Sequence, residues 1–121
     1  LIKAYNKGAI LCGVSAGAIC WFDQGVTDSW ASNLNIIDCL GIVKGCCSPH
    51  YDGEEQRRPL YHKLISEGFP AGYAIDNDAA IHFLGTDIHK VISSRENAGA
   101  YYVQKIGNEA IETSLETELL Q

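Results

Sequence analysis

Three features of the sequence predict an α/β domain. A short apolar run bounded by glycines leads straight into an Ala-rich helical stretch. A second helix, with apolar residues at helical spacing, lies mid-chain, and the last third breaks into strand-like runs separated by turn residues. Helix and strand alternate first and strands follow strands later, which suits a layered α/β sheet with a strand-rich C-terminal part.

In chain order, residues 1–6 read as the end of a helix, with Gly8 at its stop. Ala9-Ile10-Leu11-Cys12 reads as a buried strand, residues 15–22 as the helix after it and residues 23–35 as loop. Residues 39–43 suit another short strand, and residues 45–55 a loop containing Pro49. From residue 57 to 67, Leu60, Tyr61, Leu64 and Ile65 recur at helical spacing, with Pro59 in the first turn and Gly68 at the stop. Residues 72–75, 79–84, 88–92 and 99–106 are strand-like, and Gly85-Thr86-Asp87 suggests a hairpin. Ile111, Leu115 and Leu119 fall four apart and predict a closing helix.

The chain has 121 residues, 46% of them hydrophobic, which is enough for one cored domain and argues against disorder. No apolar run approaches the roughly 20 residues that cross a bilayer, so no membrane partner is expected. Nine Lys and Arg against fifteen Asp and Glu lack the basic footprint of a sequence-independent nucleic-acid binder. Five cysteines, an odd number without framework spacing, favour a reducing cytoplasm over a secreted disulfide scaffold. The sequence contains no Met and opens Leu1-Ile2-Lys3-Ala4, and is read as the C-terminal part of a larger domain.

Gly13-Val14-Ser15-Ala16-Gly17 matches the G-x-S-x-G nucleophile elbow, with a strand expected before it and a helix after. Such a turn lifts the serine hydroxyl clear of the sheet and sets the Ala16 N–H where an oxyanion forms. The plainer alternative is a Gly-rich turn whose serine caps the helix. A serine nucleophile needs a base. His62 falls within an expected helix, and His82 and His89 within expected strands. His50 in Ser48-Pro49-His50-Tyr51 is the loop-borne histidine, where an extended X-Pro step aims a side chain at a cleft. In α/β-hydrolases the histidine comes last in the order Ser, acid, His, and nothing after His89 could serve here. An esterase of that fold is therefore the weaker assignment.

Residues 9–22, the Pro49-His50-Tyr51 loop, Arg57-Arg58 and Gly72-Tyr73-Ala74-Ile75-Asp76 together resemble the peptidase E (α-aspartyl dipeptidase) family of serine peptidases, to which cyanophycinases are related. The resemblance implies a class I glutamine amidotransferase-like, flavodoxin-like layered sheet, with serine where those enzymes carry cysteine. It implies a cytoplasmic enzyme without metal or cofactor that removes N-terminal aspartate from short peptides. Ser15 then matches the nucleophile, His50 the base and the Ala16 amide one oxyanion donor, the second donor lying in a glycine-rich segment upstream. The family's glutamate after the 72–75 strand falls on Asn77, which can orient an imidazole without adding charge, while Asp76 and Asp78 flank it. Asp28 in Thr27-Asp28-Ser29 falls near a further aspartate of the family, its alternative being a turn-forming carboxylate.

Arg57 and Arg58 are candidates for binding an acidic substrate group, since guanidinium pairs with carboxylate bidentately, against the alternative of a solvated helix face. Cys47 and His50 lie three apart, but structural zinc wants two spaced ligand pairs and no second pair is present. Cys12 and Cys20 sit off the elbow and suit small buried residues. The partners implied are a short acidic peptide and the N-terminal part of the same protein, with oligomeric state left open. Cleavage of β-aspartyl linkages, or an inactive binding homologue suggested by Asn77, are the competing functions.

Overall fold

The computed structural model describes residues 1–27 and 35–121. Its elements are α1 (Ile2–Asn6), α2 (Ala16–Ile19), β1 (Phe22–Thr27), β2 (Asn35–Asp38), β3 (Val43–Ser48), α3 (Arg57–Ser66), β4 (Gly72–Ile75), β5 (Ala79–Leu84), β6 (Asp87–Ser93), β7 (Ala100–Ile106), β8 (Glu109–Ser114) and β9 (Thr117–Leu119). Among the described residues, six strands form one sheet in the order β2-β1-β3-β4-β7-β8, and β5-β6-β9 form a second. The fold is mixed α/β. At its centre β1, β3 and β4 run parallel, with α3 as the crossover between β3 and β4.

The large sheet is buried on both faces, and neighbouring residues of β3 show it. Cys46 belongs to a cluster with Val26, Tyr51, Tyr61, Ile65, Ala74 and Val103, beneath α3. Cys47 belongs to another with Ile19, Phe22 and Val43, against which Tyr73 and Phe83 pack. Successive strand residues face opposite ways, so α3 covers one face while α2 and the β5 residue Phe83 cover the other. Two glycines allow close approaches. A Cβ on Gly25 would overlap the Ile19 side chain, so α2 lies directly on β1. A Cβ on Gly72 would overlap the Cys46 backbone, so β3 and β4 pair closely there.

The helix at residues 57–66, the strands from residue 72 to 106 and the Gly85-Thr86 turn agree with the sequence expectations. Five segments differ. The apolar run of residues 9–12 pairs with no described strand, and Ile10 is 90% exposed. Both edges of β1 are already taken by β2 and β3, which leaves the run no neighbour there. The helix expected over residues 15–22 is a single turn, because Phe22 already enters β1. Residues 23–35 were expected as loop, yet β1 extends to Thr27, and its Asp-Gln-Gly centre hides the strand pattern. Likewise β3 begins where the 39–43 strand was expected to end. The closing helix is replaced by β8 and β9. Gly107, at φ 64°, and Asn108 form a two-residue turn, and β8 then pairs with β7 from Ile106↔Glu109 to Tyr101↔Ser114.

Glu112 of β8 ties this last hairpin to α3. It accepts hydrogen bonds from the Tyr51 hydroxyl (2.5 Å), from Arg58 Nε and Nη2 (3.1 and 2.9 Å), and pairs with His62 Nε2 at 3.1 Å. Arg58 also lies over the Tyr51 and Tyr101 rings, 4.7 and 5.1 Å from their centroids. Burial alone would raise the Glu112 carboxyl, but the hydrogen bonds from Arg58, Tyr51 and His62 outweigh it and hold it at about 2.

Two stability predictions follow from these contacts. In urea melts of the full chain, Gly25→Ala is expected to cost about 1–3 kcal/mol, because the new methyl displaces Ile19 from its contact with β1. An unchanged midpoint would show that α2 does not rest on β1 as described. Glu112 is depressed in the fold, so its contribution is complete above its ordinary pKa of 4.5 and disappears as pH falls through about 2. Glu112→Gln is expected to cost about 2 kcal/mol at pH 7, with the gap to wild type closing in melts repeated toward pH 2.

Candidate active site

The parallel pairing of β3 with β4 sets the site, since side chains that follow the carboxyl ends of adjacent parallel strands share one crevice. After β3 come Pro49 and His50, and the Tyr51 N–H then bonds the Ile75 carbonyl at 3.1 Å, tying this loop to the end of β4. After β4 the chain turns from Asp76 to Ala79, closed by the Ala79 N–H on the Asp76 carbonyl at 3.3 Å, with Asp78 left-handed at φ 65°. Asn77 is carried on that turn, beside the His50 loop.

Ser15 reaches the same place from the other direction. It has φ 56° and ψ −119°, outside the regions a non-glycine residue readily adopts, immediately before α2. The Gly17 N–H closes the turn on the Val14 carbonyl at 2.9 Å. A Cβ at Gly13 would overlap the Gly17 carbonyl, whereas one at Gly17 would meet nothing, so the tight spot is Gly13. Ala16, the first residue of the helix, has an N–H without an intrahelical partner, next to the Ser15 hydroxyl.

These three elements bring Ser15, His50 and Asn77 into one chain of hydrogen bonds. Ser15 Oγ lies 2.8 Å from His50 Nε2, and His50 Nδ1 lies 2.8 Å from Asn77 Oδ1. Since the amide oxygen only accepts, His50 carries its proton on Nδ1, and Nε2 is free to accept from the serine hydroxyl. His50 itself sits at φ 54°, a second strained residue in the same array. This is the geometry of nucleophile, base and orienting group, with an amide in the third place.

The remaining candidates lie elsewhere. Asp76 is buried and turned inward: its Oδ2 accepts the Gly99 N–H (3.0 Å) and the Tyr101 hydroxyl (3.3 Å), and burial pushes its carboxyl up. Asp78 points to Arg95. Asp28 lies outside the described residues. Arg57, 1% exposed, spends its guanidinium on Glu54 and the Val26 carbonyl, and Arg58 spends its own on Glu112. Arg57 or Arg58 was the candidate for an acidic substrate group, against a solvated helix face; Arg57 is buried between helix and sheet, while Arg58 is exposed and paired with Glu112.

The cysteines hold no comparable position. Burial pushes Cys46 up to about 11 and Cys47 higher still, and it also raises Cys20 and Cys39. Cys47 faces the core while His50 faces Ser15. Among the described residues no three His, Cys, Asp or Glu side chains gather as metal ligands, and no helix is long and apolar enough to cross a membrane.

Sequence reasoning missed Asp52 and Arg95. The Asn77 N–H donates to Asp52 Oδ1 at 2.8 Å, and Arg95 bonds both Asp52 Oδ2 and the Asn77 carbonyl. Asp52 had a local signal, since His50-Tyr51-Asp52-Gly53 is turn-like and closes with a 3.2 Å bond from the Gly53 N–H to the His50 carbonyl. Arg95 had none, being 18 residues from the carbonyl it holds.

Comparison with known proteins adds an independent line. The family model described as peptidase family S51 matches residues 1–91. An uncharacterized peptidase of Bacillus subtilis (strain 168), YgaJ, is 46% identical over 121 residues, covering 99% of this chain and 52% of that protein. The chain thus spans about half the length of the curated relative it matches. The Gly-Val-Ser-Ala-Gly turn joined to the His50 loop, together with a match over three quarters of the chain, leads to one conclusion: the chain belongs to peptidase family S51.

Proposed function

We propose that the protein containing this chain is a serine-type peptidase acting on short peptides with an N-terminal aspartate. The observation that carries the catalytic part is the 2.8 Å contact between Ser15 Oγ, on its strained turn, and His50 Nε2. Ser15 Oγ attacks the scissile carbonyl while His50 Nε2 takes its proton. The imidazolium keeps its orientation through Nδ1–H to Asn77 Oδ1, and the Ala16 N–H donates to the oxyanion. His50 then protonates the leaving amine. Water, deprotonated by the same nitrogen, attacks the acyl ester and returns Ser15 to its hydroxyl form.

Asparagine in the third place keeps the tautomer but adds no charge to stabilise the imidazolium. The reading therefore implies a slower acylation than a carboxylate would give at the same geometry. The aspartyl preference rests on the resemblance of the Gly-Val-Ser-Ala-Gly-Ala and Pro-His-Tyr segments to peptidase E. Arg57 is buried on Glu54 and the Val26 carbonyl, whereas Arg58, paired with Glu112, keeps an exposed guanidinium and stays the candidate of the two for the substrate carboxylate.

Hydrolysis of aspartyl-p-nitroanilide by the full-length protein tests the proposal. Wild type is expected to turn over, and Ser15→Ala to lower kcat by about 10³-fold or more. Turnover of the β-aspartyl isomer alone would replace the linkage assigned here, and activity surviving Ser15→Ala would remove the nucleophile. Separately, a fluorophosphonate probe is expected to label Ser15 in wild type and to leave His50→Gln essentially unlabelled, read by mass spectrometry. Equal labelling of both would show that His50 does not activate the serine.

A further inference from the structure

We propose that Arg95 and Asp52 form a positioning clamp on the backbone of Asn77, and that Arg95 thereby governs the tautomer and orientation of His50. The proposal rests on the assignment of Ser15, His50 and Asn77 above. It concerns residues that touch neither the serine nor the imidazole.

An asparagine in the third place contributes through geometry. A carboxylate attracts an imidazolium over a range of orientations, whereas an amide helps when its oxygen faces Nδ1 and hinders when its NH2 does. A protein using asparagine there must fix the residue's backbone, and both polar backbone groups of Asn77 are held by charged partners. The N–H donates to Asp52 Oδ1 at 2.8 Å and the carbonyl accepts from Arg95 Nη2 at 3.0 Å. Arg95 Nη2 also meets Asp52 Oδ2, closing a ring of three residues, and Arg95 Nε reaches Asp78 Oδ2 at 3.2 Å. Burial would raise the Asp52 carboxyl, but the bonds from the Asn77 amide and Arg95 hold it below the usual carboxylate range, so it remains a charged acceptor.

The clamp is itself anchored. The Arg95 N–H donates to Oγ of the buried Ser93 at 3.0 Å, and that hydroxyl donates back to the Arg95 carbonyl. The Ser94 N–H donates to the Asp78 carbonyl at 2.9 Å, which pins the end of β6 to the turn that carries Asn77. Gly53 lies close against the exposed Asn77 amide, since a Cβ there would overlap its nitrogen. A backbone wall behind the NH2 leaves the oxygen turned toward His50.

The test is nitrogen-15 NMR of the His50 ring in the full-length protein, at a pH where the ring is neutral, beside kcat and KM on the aspartyl anilide. Wild type should hold the proton on Nδ1. Arg95→Ala should move population to the Nε2–H form and lower kcat by about tenfold to a hundredfold, with KM within twofold. Arg95→Lys, which keeps the charge but not the shared contacts, should fall between, and melts should show all variants folded. In an Asn77→Ala background, Arg95→Ala should change neither tautomer nor kcat further. An unmoved tautomer in Arg95→Ala and Arg95→Lys, or an equal loss of kcat with and without Asn77, overturns the clamp. A tautomer that moves as expected in a protein with no turnover upholds the clamp and removes the peptidase reading instead.

Discussion

Everything at the candidate site depends on how closely β3 and β4 run side by side. Their pairing, Cys46↔Gly72 to Ser48↔Ala74, is possible at its first step because residue 72 has no Cβ to meet the Cys46 backbone. From that register the His50 loop and the Asn77 turn emerge at the same level, and the Tyr51–Ile75 backbone bond keeps them there. A slip by one residue would turn Cys46 and Cys47 to the wrong faces and separate the imidazole from its amide, so core and site constrain the register together.

The asparagine at position 77 becomes intelligible from its surroundings. Asp52, Asp76 and Asp78 all lie around it, with Arg95 the cation bonded to two of them. Burial already pushes the Asp76 carboxyl up, and the charge on Asp52 adds to that rise. A fourth carboxylate at position 77 would enter this crowd and repel its neighbours unless one of them took up a proton. An uncharged residue gives the imidazole its acceptor without that cost, and the burden of orientation passes to the backbone.

Much of this site was legible in the sequence where the chemistry is local. The elbow around Ser15 and the Pro49-His50-Tyr51 loop are contiguous motifs, and the α3 crossover follows from its apolar spacing and Pro59. What the sequence hid is non-local. The strand β1 passes through Asp23, Gln24 and Gly25, and only its place between β2 and β3 makes it a strand. The tail carries a four-residue apolar spacing, but Gly107-Asn108 makes a hairpin and cross-strand pairing overrides the period. Arg57 has a local partner in Glu54, but the Val26 carbonyl that buries it and the Glu112 that pairs with Arg58 lie 31 and 54 residues away in the chain.

The brace at Glu112 has a consequence for handling the protein. The carboxylate that holds Tyr51, the residue after His50, sits on the penultimate strand, beyond the stretch matched to the family. Proteolytic nicking in the Gly107 turn, or shortening the chain from its C-terminal end to make a smaller crystallisation target, would remove no member of the hydrogen-bonded array. It would nevertheless strip the support from behind the histidine loop. A trimmed preparation would then keep Ser15, His50 and Asn77 and still lose the contacts between them, with the damage invisible to any check of the motif alone.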